Sequence, residues 1–251
     1  EKGAFLFRIE YKGSLDERKK SEFVKKTASL LEEKSERMLI NSISDYEIEI
    51  RIVESKKGGY LPFLRLYTME DERFVYRKES IAASIAPVNA ALIMQIAGDY
   101  LKENAQILDP CCGVGTMLIE RDILVPAREK YGIDIFGDAI DMARENAALA
   151  GEKINFIHRD YFDFKHDYKF DEIVTNMPVK GKKAKEDMDA FYARFFEKSK
   201  SLLAEDGIII MYSNEVGFVK KQLRLQPCYR LIQEYTIRKK DSYCLFIIGM
   251  K

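Results

Sequence analysis

Apolar and polar positions follow two rhythms along the chain. Residues 4–12 read as a strand in which Phe5 and Phe7 alternate with Leu6 and Arg8, and Ser14-Leu15-Asp16-Glu17 then places acid in a first helical turn. Phe23, Val24, Ala28, Leu30 and Leu31 recur at helical spacing, which predicts an amphipathic helix over 15–36. Strict alternation returns over 46–53, and Gly58-Gly59 leads into a second strand over 60–68, the pattern of a hairpin. These elements predict a small α/β domain. The charged stretch 69–78 is the natural linker, giving domains over 1–78 and 79–251.

The second part changes rhythm. Pro87 suits the first turn of a helix running to about residue 102, nearly apolar through Val88, Leu92, Ile93, Ile96 and Ala97. Short apolar strands over 106–109, 130–134, 154–158, 172–175 and 207–212 then alternate with helices from 116, over 138–150 and over 187–203. Such alternation predicts a parallel sheet covered on both faces. Strands over 229–237 and 242–250, joined by Arg238-Lys239-Lys240-Asp241, close it as an antiparallel hairpin.

Composition narrows the classes. With 47% apolar residues, fourteen Gly and six Pro in 251 residues, the chain can bury a core, and disordered or low-complexity readings fall away. The 41 Lys and Arg balance 41 Asp and Glu, so any grip on nucleic acid must be local. The apolar stretch 85–97 holds Pro87, Asn89 and Gln95 and falls short of the roughly 20 residues of a membrane span. Cys111, Cys112, Cys228 and Cys244 have no CxxC spacing, which predicts neither zinc site nor disulfide framework, no metal, and a reducing cytoplasm. A chain that begins with Glu1 close to a strand is expected to be cut from a longer one or to have lost residues, and a monomer is the expected state.

The candidate chemistry begins at Ile107-Leu108-Asp109-Pro110-Cys111-Cys112-Gly113-Val114-Gly115-Thr116, a strand entering a glycine turn and then a helix. Such a turn lets backbone N–H groups approach a ligand. The third glycine of a dinucleotide fingerprint is missing, and no Gly-Lys-Ser/Thr follows to cradle phosphate. An acid at the mouth suits an amine better than a phosphate. Asp134 and Asp160 end the next two strands, and Asp134 lies about 20 residues past the loop, where a carboxylate meets ribose hydroxyls. The plainer alternative is that acids cap helices, as Asp138 is expected to do. His158, His166 and the adjacent Cys111-Cys112 pair have no partner at catalytic or metal spacing; Cys112 reads as a small residue in tight space.

These residues resemble the class I S-adenosylmethionine-dependent methyltransferases. The form D-P-C-C-G-V-G-T is similar to the branch that methylates exocyclic amines of nucleobases. The resemblance covers 80–251 and implies a Rossmann-like seven-stranded α/β sheet with a C-terminal antiparallel hairpin. It implies S-adenosylmethionine as cofactor, with Asp109, Gly113 and Gly115 on its methionine part, Asp134 on the ribose, Asp160 on the adenine amine, Ile135 and Tyr161 packed on the adenine, and Pro87 and Cys111 also among the residues that bind it. Asn176-Met177-Pro178-Val179 stands where amine methyltransferases have N-P-P-Y, N-P-P-F or N-L-P-F, which implies catalytic roles for Asn176 and Pro178, with Asn176 also bordering the cofactor. The chemistry explains the Asn: a base amine is a poor nucleophile, and an amide oxygen accepting its N–H favours a lone pair aimed at the methyl group. Val179 replaces the aromatic, and Phe191, Tyr192 or a residue of the first domain is a substitute platform.

Residues 4–68 resemble the α/β core of a THUMP domain, an RNA-binding module, through Asn41-Ser42 and Tyr46-Glu47-Ile48-Glu49-Ile50-Arg51. The resemblance leads to the expectation that the customary ferredoxin-like segment before it is absent or truncated here. The resemblance implies RNA, with tRNA favoured over rRNA and guanosine N2 as the target amine. Local charge agrees: 79–179 carries nine Lys and Arg against seventeen Asp and Glu, a net of −8, whereas 180–251 carries fifteen against nine, a net of +6. Lys180, Lys182, Lys183 and Lys185 follow the Asn turn and are candidate phosphate contacts. DNA adenine N6, a protein glutamine or small molecule, and a non-catalytic RNA-binding protein remain the alternatives.

Overall fold

A computed structural model describes residues 3–69, 72–82, 84–179, 188–238 and 241–251. The chain divides into two compact units, Glu1–Glu72 and Arg73–Lys251.

The first unit is a four-stranded sheet with one helix. β1 (Phe5–Lys12), α1 (Glu17–Lys34), β2 (Leu39–Asn41), β3 (Ile48–Glu54) and β4 (Tyr60–Leu66) follow in chain order, and the sheet runs β2-β1-β3-β4. Asp16 caps α1 by accepting from the Lys19 N–H at 3.0 Å. Ala28 of that helix is buried with Phe7, Ile9, Tyr11 and Ile52 of the strands. β2 pairs in parallel with β1 and is a strand that sequence periodicity does not predict, because three residues are too few to show alternation. β3 and β4 form the predicted antiparallel hairpin, and Gly58 and Gly59 carry the positive φ values of its turn, 91° and 78°. On the sheet face away from α1, buried Glu49 accepts from Arg8 at 2.6 Å and from Arg51 at 2.9 Å.

The second unit holds α2 (Pro87–Ala97), β5 (Gln106–Asp109), α3 (Thr116–Leu124), β6 (Glu129–Asp134), α4 (Gly137–Ala150), β7 (Asn155–His158), β8 (Phe170–Asn176), α5 (Met188–Leu202), β9 (Leu203–Ser213), α6 (Val216–Leu225), β10 (Tyr229–Arg238) and β11 (Tyr243–Met250). The seven strands run β10-β11-β9-β8-β5-β6-β7, with β11 antiparallel to both neighbours and the others parallel, as expected. Strands in the middle are buried on both faces. Ile209 and Met211 of β9 join the cluster of Tyr192, Phe195 and Phe196 from α5, while Ile208, Ile210 and Tyr212 join Ile93 and Met94 of α2. Full burial of each such side chain contributes about 1.5 to 3 kcal/mol. β5 and β8 lie side by side, and the chain leaves them toward opposite edges of the sheet, so a crevice opens beyond their carboxyl ends.

Three expectations change. Residues 73–78, assigned to the linker on charge, belong to the second unit: Arg73 and the Tyr76 hydroxyl both donate to buried Glu120 of α3, at 2.5 and 2.6 Å. Asp138 does not cap α4; Phe136 holds that position without a side-chain bond, and Asp138 sits in the first turn, where its charge favours the helix dipole. The helix from Pro87 stops at Ala97 and tightens into a 3-10 turn over Gly98–Tyr100. α6 is additional, an amphipathic helix lying between two strong strand patterns. Among the described residues no helix is long and apolar enough to cross a membrane.

Candidate active site

The glycine loop, the ends of β5, β6 and β8, and the 3-10 turn Tyr161–Asp163 surround one cavity of about 370 Å³. That volume is within the roughly 300 to 1,000 Å³ of small-molecule sites. Asp109, Cys111, Gly113, Asp134, Ile135, Asp160, Tyr161, Asn176 and Pro178 all border it. Pro87 does not: it is the first residue of α2, where its missing N–H costs no helical bond. Gly115 is also absent from the lining. Its φ of +83° and a virtual Cβ 2.8 Å from Phe156 Cζ show that the glycine is demanded from behind, by packing. Gly113, with φ of +51° and no atom near its virtual Cβ, is the glycine that faces the cavity.

The three acids differ in what they lack. Asp109 is 1% exposed, and its Oδ1 accepts from the Cys111 N–H at 3.1 Å. Its Oδ2 is buried with no hydrogen-bond partner; the nearby Thr175 hydroxyl favours the charged form yet lies outside hydrogen-bond geometry. Burial pushes the carboxyl up to about 8, against the Cys111 N–H, and the charge of Asp134 adds to the rise. A carboxylate oxygen in this condition fits a cationic ammonium group. Asp134 is already engaged: Oδ2 accepts from the Gly113 N–H at 2.8 Å and Oδ1 from the Phe136 N–H at 3.0 Å, which ties the glycine loop to the next strand. Each oxygen retains a lone pair for a hydroxyl. Asp160 is exposed and caps its 3-10 turn through the Phe162 N–H at 2.9 Å, so the capping alternative holds there without consuming the second oxygen.

Apolar walls complete the fit. Ile135 is 56% exposed and offers a free face to a planar ring. Tyr161 borders the cavity as part of the core, with its ring 4% exposed and its hydroxyl 2.9 Å from Ser199 Oγ. Tyr192 is fully buried and bonded to Ser213 Oγ at 2.6 Å, so it cannot serve as the platform that Val179 lacks; Phe191 remains on the lining. Asn176 ends β8, and the Met177 N–H donates to the Tyr212 carbonyl at 2.9 Å, which fixes the turn while Pro178 and Val179 stay exposed. Cys112 is buried, its sulfur 3.0 Å from a virtual Cβ on Gly132, in agreement with a small residue filling tight space. Lys180, Lys182, Lys183 and Lys185 lie outside the described residues.

Two positioning residues escape a motif search. Asn146 of α4 is fully buried and donates through Nδ2 to the carbonyls of Val114 and Glu79, both at 3.1 Å, while its Oδ1 accepts from the Glu79 N–H at 3.2 Å. Its signal is present in the sequence, an amide on the apolar stripe of Ala139, Ile140, Ala143 and Ala147. Arg77 donates to Thr116 Oγ1 at 2.6 Å and to the Ile85 carbonyl at 3.0 Å, holding the segment with Ile81, Ser84 and Ile85 over the start of α3. Burial lowers the pKa of its guanidinium.

An open α/β sheet with a terminal antiparallel hairpin, a glycine loop after its first strand and an acid at each following strand end defines a class I methyltransferase fold. Comparison with known proteins gives the family: residues 75–241 match the UPF0020 model, described as RMKL-like, methyltransferase domain, and the chain belongs to that family. S-adenosylmethionine is its cofactor. The chain is 33% identical over 162 residues to the tRNA (guanine(10)-N2)-dimethyltransferase of Methanothermobacter thermautotrophicus, an overlap of 63% of this chain and 46% of that enzyme. It therefore spans about half of that relative's length. Among solved structures, TrmN from Thermus thermophilus superimposes with a TM-score of 0.74 at 20% identity, covering 99% of this chain and 73% of its own. A predicted N6-adenine-specific DNA methylase from Listeria monocytogenes gives 0.71 at 16% identity, covering 97% and 73%.

Proposed function

We propose that the protein methylates an exocyclic amine of a nucleobase in RNA, with guanosine N2 of tRNA as the favoured target. The observation that carries this is the position of the Asn176-Met177-Pro178 turn on the same cavity as the glycine loop. The name of the Methanothermobacter relative, a tRNA (guanine(10)-N2)-dimethyltransferase, supports the choice of base and of RNA. The first unit, read as a THUMP-like RNA-binding domain, and the basic run from Lys180 to Lys185 support the same partner.

In this reading the Asp109 carboxylate holds the ammonium group of the cofactor, Asp134 the ribose hydroxyls and Asp160 the adenine amine, with Ile135 against the adenine ring. Bound there, S-adenosylmethionine supplies a sulfonium methyl group. The Asn176 amide oxygen and a backbone carbonyl of its turn accept the two N–H bonds of the target amine. That arrangement orients the nitrogen lone pair and acts by positioning and electrostatics. No strong base is needed, because the methylated amine is acidic until it releases its proton to water. Pro178 stiffens the turn so that the acceptors are arranged before the base arrives.

The test is incubation of the protein with labelled S-adenosylmethionine and, separately, tRNA, rRNA and DNA, followed by mass spectrometry of the nucleosides. N2-methylguanosine from tRNA is the expected product. Labelled N6-methyladenine from DNA alone overturns the proposal.

A further inference from the structure

Val179 leaves the Asn176 turn without an aromatic face, yet aromatic side chains do reach the cavity from another direction. Phe191 and Arg194, one turn apart on α5, both border it. Phe162, from the 3-10 turn after Asp160, meets both. Its ring lies 5.7 Å from that of Phe191 at 80°, and the Arg194 guanidinium carbon stands 3.7 Å above the same ring. Phe191 is half-buried and Arg194 exposed. Phe136, the one exposed aromatic among the described residues of the cavity lining, stands two residues from Asp134 on the cofactor side. Among the described residues, no carboxylate pairs with Arg194.

We propose that Phe191 is the stacking platform for the target base and that Arg194 contacts a phosphate beside it. This rests on the nucleic-acid reading of the cavity. Every nucleobase presents a π face, so one edge-braced phenyl ring serves as a platform without selecting the base. Stacking the guanidinium on Phe162 fixes its plane and leaves its N–H donors for a phosphate. The lost aromatic after Asn176 is thereby replaced from α5. Phe162 joins the two substrates' sites: its N–H caps to Asp160 at 2.9 Å while its ring orients Arg194 and Phe191.

The experiment uses the full chain and two readouts: steady-state methyl transfer to tRNA at several salt concentrations, and S-adenosylhomocysteine affinity by calorimetry. Phe191→Leu is expected to raise KM for tRNA roughly 5- to 150-fold, the effect of losing one base stack, with cofactor affinity unchanged. Phe191→Tyr, which keeps the π face, rescues KM. Arg194→Ala is expected to reduce the slope of log KM against log salt by about 0.7 to 0.9, one phosphate's share, and Arg194→Lys restores it. Because Arg194 is exposed, its test stands even if Phe191→Leu fails to fold. If wild-type protein methylates tRNA and both variants match it, or if they alter cofactor affinity in place of tRNA KM, the platform assignment is wrong while the function stands. If wild-type protein transfers nothing to RNA, both fall together.

Discussion

The two ends of β8 face opposite demands. Near its amino end Glu172 is fully buried and closed on every side: Arg121 donates to its two oxygens at 2.7 and 2.9 Å, and the Lys102 N–H adds a third bond at 2.7 Å. At the carboxyl end Thr175 keeps a buried hydroxyl without a partner, Asn176 borders the cavity, and Asp109 on the neighbouring strand holds an oxygen with no hydrogen bond. One strand thus passes from satisfied charge to unsatisfied polarity within five residues. Unpartnered buried groups cost stability, so their concentration at one end marks where a ligand completes the structure.

Removing a partner at the closed end should have the largest effect. Arg121→Ala leaves a buried carboxylate uncompensated and is expected to destabilise the second unit by about 3 to 5 kcal/mol, measured by denaturant unfolding. Replacing both partners, Arg121→Met with Glu172→Leu, should recover most of that loss. If the single change is silent, the contrast between the two ends is false. At the open end Asn176→Ala should leave folding intact and lower methyl transfer on the order of a hundredfold, the scale for one preorganised polar contact, with S-adenosylhomocysteine still bound. Equal loss of cofactor affinity would place Asn176 on the cofactor alone.

Asp109 sharpens the comparison through pH. Its folded pKa of about 8 lies above the ordinary carboxylate value of about 4. Between those values the folded chain binds the proton and the unfolded chain does not, so this group's contribution to stability is highest below pH 4 and falls as pH rises toward 8. Cofactor affinity should run the other way, rising from pH 6 to 8 as the carboxylate that holds the ammonium ionises, with proton release in calorimetry. Asp109→Asn should be weaker at pH 8 and flat across that range; a slope that survives the substitution assigns it to another group. The smallest effect is expected at Asp160, already exposed and capped: Asp160→Ala should cost about 0.5 to 2 kcal/mol at its cap and weaken S-adenosylhomocysteine modestly by calorimetry.

Much of this was legible because the signals are periodic. Alternation in 46–53 and the strands and helices from 106 onward reproduce the observed sheet to within a few residues, and the run Ile208-Ile209-Ile210-Met211 shows its double burial directly. Three-residue β2 is too short for a period, and Arg77 looked like a linker charge because its partners, Thr116 and Ile85, are remote in sequence or carry no side-chain signal. The site residues gathered by motif lie together except Pro87 and Gly115, whose roles are to start a helix and to clear Phe156. Choosing between Phe191 and Tyr192 needed the structure, since adjacent helical positions differ by about 100° in direction and the pattern around them is apolar on both sides.

Phe156 carries a consequence for descent. Its ring stands 2.8 Å from a virtual Cβ on Gly115 and 2.7 Å from one on Gly132, so a single side chain of β7 holds two glycines in place. A lineage that traded this phenylalanine for a smaller residue would relieve most of the crowding at both, leaving the backbone angle of Gly115 and the Cys112 sulfur, 3.0 Å from a virtual Cβ on Gly132, to resist change. The three positions should therefore drift as a set among relatives, and the second glycine of the loop would then record the history of a neighbouring strand as much as the history of a ligand.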